Sequence, residues 1–193
     1  DALAMGVTQA CARKRDRTLV CFGDLASLEI DDVRKTGNLL PVPYVKDVVS
    51  FAVGTSHGCA VTPGGTVTCW GAGAGAGSPS SAFAGARLID DLTDAAKVYA
   101  GYTHTCALRK DGSVYCWGDN EYGQLGDGTF VDRLKPAHVK DLGNVKDLVL
   151  GQYRSCALLS DGSARCWGRN ERDALGLGRK QIETKPILVP MPP

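Results

Sequence analysis

Eight cysteines are the chain's most reactive side chains, and they form four pairs: Cys11 and Cys21, Cys59 and Cys69, Cys106 and Cys116, Cys156 and Cys166, every pair ten residues apart. Paired thiols suit two chemistries. Zinc sites usually set cysteines about two to four residues apart and supply four ligands, whereas each pair here stands alone or with one histidine. A cross-strand disulfide needs opposed residues, and a non-hydrogen-bonded antiparallel pair brings Cα atoms to about 4.5 Å, within bridging reach. The spacing favours four disulfides over metal ligation. Four bridges in turn imply an oxidising compartment outside the cytosol, secreted or in the cell envelope.

The other candidate groups are weaker. His57 and His104 occupy one recurring slot where Gln9 and Arg154 stand elsewhere, which points to a polar side chain hydrogen-bonding nearby backbone; His138 follows Pro136-Ala137 in an inter-strand segment with no visible partner. Gly54-Thr55-Ser56-His57-Gly58 fits the Gly-x-Ser-x-Gly expression of a hydrolase elbow but lacks its strand-turn-helix setting. The run from Gly71 to Gly77 misses the phosphate-binding Gly-x-Gly-x-x-Gly pattern and reads as a flexible loop. Asp31-Asp32 and Asp90-Asp91 match no calcium-loop spacing and read as surface charge. Arg13, Lys14, Arg15 and Arg17 form a basic turn that could hold an anionic polymer, although no exposed aromatic array accompanies it. No catalytic residue, metal site or cofactor site is expected.

The elements that carry these residues repeat. First cysteines of successive pairs lie 48, 47 and 50 residues apart, so one unit of about 48 residues is written four times, over approximately 1–47, 48–95, 96–145 and 146–193 of a single domain. Placing Cys106 opposite Cys116 centres a hairpin on Asp111 and leaves Lys110-Asp111-Gly112 as a three-residue loop, with Gly112 at the left-handed position. Gly65 and Gly162 fall in the same place, whereas the first copy has Arg17 there. Alternation then sets Cys106, Leu108, Val114 and Cys116 on one face and Arg109 and Ser113 on the other. The first copy breaks the pattern with Arg13 and with Phe22 in place of the tryptophan, which makes its hairpin the least regular. Short, evenly spaced strands with a Trp-Gly or Phe-Gly mark per unit predict an all-β protein, one four-stranded propeller blade per repeat.

The runs Gly101-Tyr102-Thr103-His104-Thr105-Cys106-Ala107-Leu108, Asp111-Gly112-Ser113-Val114-Tyr115-Cys116-Trp117-Gly118 and Asn120-Glu121-Tyr122-Gly123-Gln124-Leu125-Gly126-Asp127-Gly128-Thr129 resemble the repeat of the regulator of chromosome condensation family. The resemblance spans all four units and is sharpest in the third. It implies a β-propeller, usually of seven blades, and the cysteine pair in each unit is similar to secreted bacterial members. Gly123-Gln124-Leu125-Gly126 becomes Asp173-Ala174-Leu175-Gly176 in the fourth unit and is replaced by the glycine-alanine run in the second. Four units imply a partial propeller, a small ring, or part of a larger ring completed by self-assembly or by further blades of a longer chain.

Composition narrows the function. The 193 residues carry 22 basic and 21 acidic side chains, a net charge of +1 that creates no field for nucleic acid or an acidic membrane. No apolar run reaches transmembrane length, and Asp1-Ala2-Leu3-Ala4-Met5-Gly6 lacks the regions of a signal peptide, which reads as a soluble, processed segment. The expectation is a non-enzymatic adhesion or protein-interaction module with a macromolecular partner, protein ahead of glycan. Recognition should use the inter-hairpin loops 24–40, 72–87, 119–135 and 169–185. A carbohydrate-binding propeller and an inhibitor of a secreted hydrolase are the alternatives, and the resemblance adds nucleotide exchange on a small GTPase.

Overall fold

In the computed structural model, residues 2–23, 40–42, 45–78, 86–178 and 181–190 are described. Each repeat folds as a four-stranded antiparallel meander. The first blade contains β1 (Ala2–Met5), β2 (Gln9–Arg13), β3 (Leu19–Gly23) and β4 (Leu40–Pro41), and the second contains β5 (Ser50–Val53), β6 (His57–Val61), β7 (Val67–Gly71) and β8 (Ala86–Leu88). The third holds β9 (Ala95–Ala100), β10 (His104–Arg109), β11 (Val114–Gly118) and β12 (Arg133–His138); the fourth holds β13 (Val145–Leu150), β14 (Arg154–Leu159), β15 (Ala164–Gly168) and β16 (Glu183–Leu188). First strands of successive blades pack on one another in the order β1, β5, β9, β13, so they form the hub.

The central hairpins explain the cysteine spacing. Cys11, Cys59, Cys106 and Cys156 lie directly opposite Cys21, Cys69, Cys116 and Cys166, and all four pairs are disulfides with Cα atoms 4.0–4.1 Å apart. In the third blade the Arg109 amide donates to the Ser113 carbonyl and the Gly112 amide to the Arg109 carbonyl, with Gly112 at φ +82°. That three-residue turn puts Cys106 and Cys116 in the close, non-hydrogen-bonded register. The first hairpin keeps the same register despite its irregular sequence, and Arg17 takes the glycine's left-handed conformation at φ +63°.

Neighbouring blades pack face to face, and the three junctions share a fixed polarity. Cys11, Leu19 and Cys21 of the first blade pack against Val53, Ala60 and Trp70 of the second. Cys59, Val61, Val67 and Cys69 then meet Val98, Ala107 and Trp117, and Cys106, Leu108, Val114 and Cys116 meet Leu148, Ala157 and Trp167. The disulfide faces of the first three blades are thus each covered by the alanine-tryptophan face of the following blade. All three tryptophans are fully buried, so each junction removes a large aromatic surface from water and supplies much of the hydrophobic stabilisation between blades. At the hub the Tyr99 hydroxyl donates to Asp147 at 2.5 Å and Lys97 reaches the same carboxylate at 3.2 Å, so blades three and four also share a polar link.

Candidate interaction surface

The buried histidines belong to the junctions. His57 and His104 are 1% and 0% exposed at the starts of β6 and β10. His57 Nε2 lies 2.9 Å from Thr105 Oγ1, and that hydroxyl donates to the Gly75 carbonyl at 2.8 Å, so the imidazole N–H must be the donor to threonine. The Trp117 indole donates to the same carbonyl at 3.0 Å. One blade further, His104 Nε2 meets Ser155 Oγ at 2.9 Å, and the Ser155 hydroxyl and Trp167 indole both donate to the Gln124 carbonyl at 2.9 Å. At the first junction Gln9 accepts directly from Trp70 at 3.3 Å, because Gly58 stands where Thr105 and Ser155 stand and leaves room for the indole ring. Burial lowers the His57 pKa to about 4 and, with help from the neighbouring His57, that of His104 to about 3. Both imidazoles are therefore neutral structural donors near neutral pH.

Several expectations change at this level. The histidine slot pairs with side-chain hydroxyls of the next blade rather than with nearby backbone. The run from Gly71 to Gly77 is a packed turn containing a 3-10 segment at Ala74–Ala76, with Ala76 fully buried and the Gly75 carbonyl taking two side-chain donors. Small residues are needed there because a Cβ on Gly75 would meet the His57 ring at 2.6 Å. His138 lies in β12 opposite Tyr115 and packs edge-on against it, ring centroids 5.1 Å apart. Ser56 sits at an exposed turn while His57 points inward, so the Gly-x-Ser-x-Gly stretch aligns no nucleophile with a base. Of the basic turn, Arg13 donates to the Val49 carbonyl of the next blade at 2.6 Å. Asp91 lies 3.9 Å from Lys135, and Asp31-Asp32 lies outside the described residues. Among the described residues no group of three or more His, Cys, Asp or Glu side chains could hold a metal ion.

The motif after β11 also proves structural. Buried Asn120 accepts from the Leu125 amide and donates to the Thr129 and Val131 carbonyls, and Asp127 accepts from Thr129 and Arg133. These bonds knot residues 120–133 into a rigid loop. Asn170 repeats the first contact by accepting from the Leu175 amide. Of the loops expected to carry recognition, 24–39, 79–85 and 179–180 lie outside the described residues.

What these rigid loops present is an aromatic cluster. Tyr102, from the turn between β9 and β10, stands 6.2 Å from Tyr153, from the turn between β13 and β14; Tyr122, from the knotted loop, stands 4.8 Å from Tyr153. Arg169, just beyond β15, lays its guanidinium 4.8 Å from the Tyr122 ring centre and 5.4 Å from that of Tyr153, and pairs with Glu171. The Arg169 pair holds the Glu171 carboxyl below the usual carboxylate range. Asp119, at the position in blade three that Arg169 holds in blade four, is pushed up by burial, with the Asp132 and Glu121 charges adding to the shift. Tyr102, 37% exposed, also borders a depression of about 450 Å³ at the hub, around Gly6, Gly54, Gly101 and Gly151.

Tyrosine and arginine combine large, stiff contact area with hydrogen-bonding tips, and such residues dominate binding energy at protein interfaces. The sequence did not announce this cluster, because its four members occupy different positions within their repeats.

Two family models, both described as the regulator of chromosome condensation (RCC1) repeat, match this chain: one at residues 95–124 and 145–173, the other at 111–158. No curated protein sequence matches significantly. Among solved structures the chain is similar to yeast RCC1 (Prp20) bound to Kap60, with a TM-score of 0.84 and 19% identity over 98% of this chain and 48% of that one. It is also similar to human WBSCR16, with a TM-score of 0.80 and 21% identity over 100% and 53% of the two chains. The CRINKLY WD40 ectodomain of the Arabidopsis thaliana receptor kinase ACR4 follows at a TM-score of 0.56, 22% identity and coverage of 98% and 52%. The chain thus spans about half the length of the solved relatives it matches.

Proposed function

From the premise that this chain is a β-propeller of regulator of chromosome condensation repeats, we propose that it is a non-catalytic protein-interaction module working outside the cell or in the cell envelope. The observation that carries this reading is the Tyr102, Tyr122, Tyr153 and Arg169 cluster, held on rigid loops at the junction of blades three and four. Its tilted rings and stacked guanidinium form a pre-organised patch that binds without a large ordering cost. One solved relative has protein partners: yeast RCC1 (Prp20) is bound to Kap60 in one structure and is described with binding to Gsp1p and histones in another. The address rests on four disulfides, since reducing compartments do not maintain them.

The test is retention of extracellular and envelope proteins on immobilised wild-type chain, compared with Tyr153→Ala and Arg169→Ala variants that keep all four disulfides. A set of proteins retained by wild type and lost on both variants supports the reading. Equal retention on all three removes the tyrosine cluster as the contact surface. A glycan array, a panel of secreted hydrolases and a small GTPase loaded with labelled nucleotide run alongside. Binding, inhibition or accelerated release in any of them that depends on Tyr153 and Arg169 would replace the proposal with the corresponding activity.

A further inference from the structure

Blades two, three and four repeat the same hydrogen bonds at the end of the third strand, so a position whose charge changes among them stands out. Just past β7, β11 and β15 the Ala72, Asp119 and Arg169 amides donate to the Ser56, Thr103 and Tyr153 carbonyls at 2.9, 3.2 and 2.8 Å. One structural position thus carries a neutral, an acidic and a basic side chain in turn. The bond that defines the position is made by backbone alone, so the fold does not dictate these charges.

The acidic and the basic member both stand at the edge of the tyrosine patch, and neither is fully answered by a neighbour. Arg169 lies over Tyr122 and Tyr153 with its side chain 28% exposed, and its partner Glu171 is 63% exposed. An exposed pair of this kind contributes little, so another carboxylate can take the place of Glu171 at small cost. The two rings meanwhile keep the guanidinium oriented for it. On blade three, Asp119 is tied to the turn that carries Tyr102. The Asn120 amide donates to Asp132 at 2.7 Å, which fixes a second carboxylate beside Asp119, and Glu121 adds a third. Glu121 and Asp132 are exposed, and among the described residues none of the three acids has an ion-pair partner. Burial raises the Asp119 carboxyl and the charges of Asp132 and Glu121 raise it further, the mark of negative charge with no cation to balance it.

We propose that this surface takes a partner protein segment with opposite charges at its two ends: a basic side chain against Asp119, Glu121 and Asp132, a carboxylate on Arg169, and an aromatic or apolar side chain over Tyr102, Tyr122 and Tyr153. The inference rests on the tyrosine cluster being the contact surface and adds the chemistry of what binds there. A cation from the partner relieves the crowding of three carboxylates, and opposite charges on adjacent blades fix the direction in which the segment lies. A segment of one sign would set a like charge against one of the two blades, and such repulsion is how a surface rejects wrong partners.

Fluorescence polarisation with labelled heptapeptides tests this on the intact chain. The probes are Lys-Lys-Gly-Tyr-Gly-Glu-Glu, its reverse Glu-Glu-Gly-Tyr-Gly-Lys-Lys, and two peptides with only Lys or only Glu flanking the same Gly-Tyr-Gly centre. One of the two bipolar peptides is expected to bind about fivefold tighter than the other three. Asp119→Lys should shift the preference to the all-Glu peptide, and Arg169→Glu to the all-Lys peptide. The double variant should prefer the reverse of the bipolar peptide that wild type prefers. Glu121→Lys repeats the first arm at an exposed position, and every variant is required to keep the four disulfides and the wild-type circular dichroism spectrum. Equal affinity for all four peptides, binding of none, or variants that keep the wild-type order would overturn the inference. Tyr153→Ala tells its failure from that of the underlying reading: proteins retained by wild type and lost on Tyr153→Ala, without any peptide preference, keep the cluster as contact surface and remove only the charge assignment. A wild-type two-chain particle in native mass spectrometry that Asp119→Lys or Arg169→Glu separates would make the occupant a second copy and overturn the inference as well.

Discussion

The His57 imidazole and the Thr105 hydroxyl lie 2.9 Å apart across the junction of the second and third blades, and the Thr105 hydroxyl donates its own hydrogen bond to the Gly75 carbonyl. His104 and Ser155 repeat the arrangement at the same distance. The recurring polar slot, which in the sequence points to hydrogen bonding with nearby backbone, therefore joins blade to blade.

Removing the hydroxyl should show what the link contributes. Thr105→Val leaves the His57 N–H buried without an acceptor and is expected to cost about 1–3 kcal/mol, while Thr105→Ser should stay close to wild type. Urea denaturation of the three proteins checks it. A Thr105→Val protein as stable as wild type would show that the hydroxyl link contributes nothing net.

Acid should weaken the fold in a window set by these histidines. Their native pKa values, about 4 and about 3, lie below the ordinary 6.5, so the unfolded chain takes up protons that the native one refuses. A proton on His104 Nδ1 would have no acceptor among the described residues. Stability is complete above pH 6.5 and should fall as pH drops toward 4, by about 1.4 kcal/mol per pH unit for each histidine. Asp111 and Asp161, held low by Ser113 and Ser163, lose their contribution only below the ordinary carboxylate value of 3.8, and half-buried Asp119 works in the opposite sense. His57→Gln, which places at this slot the residue found at Gln9, should flatten the curve measured from pH 7 to 4.5.

The disulfides close short loops. Cys106→Ala with Cys116→Ala is expected to lower stability by about 2–3 kcal/mol through the freed unfolded chain, with a further loss because both sulfurs lie in the core between blades three and four. Thermal unfolding of the double variant, compared with the same change at Cys156 and Cys166 on the partly open face, separates the two contributions. The terminal pair should cost less.

Arg17 offers a gain. It holds the left-handed conformation that Gly65, Gly112 and Gly162 hold in the other hairpins, at a strain of order 1 kcal/mol. Arg17→Gly should relieve it and raise stability by roughly 0.5 kcal/mol after the entropy of the unfolded glycine is counted. A lower denaturation midpoint in the variant would mean that the arginine side chain makes a contact worth more than the strain.

Sequence reading succeeded where the determinants are local. Ten residues between cysteines with glycine at the turn specify a hairpin register, and that register brings the sulfurs together; even the first hairpin followed it despite Arg17 and Arg13. It failed where small residues concealed packing. The glycine-alanine run looked mobile because nothing in it is bulky, yet bulk is excluded by the His57 ring above Gly75. His138 looked isolated because its partner, Tyr115, is set by cross-strand register rather than by neighbours in the chain.

By itself, the sequence determined the period, the hairpins, the disulfide pairing and the blade as the unit, since turn geometry and strand alternation act over about ten residues. Only the tertiary structure decided which face of each blade meets which face of the next, and that Tyr102, Tyr122, Tyr153 and Arg169 converge. Those outcomes depend on the twist and stacking of whole sheets, which place residues from different repeats and different repeat positions side by side, and no spacing along one chain encodes that geometry.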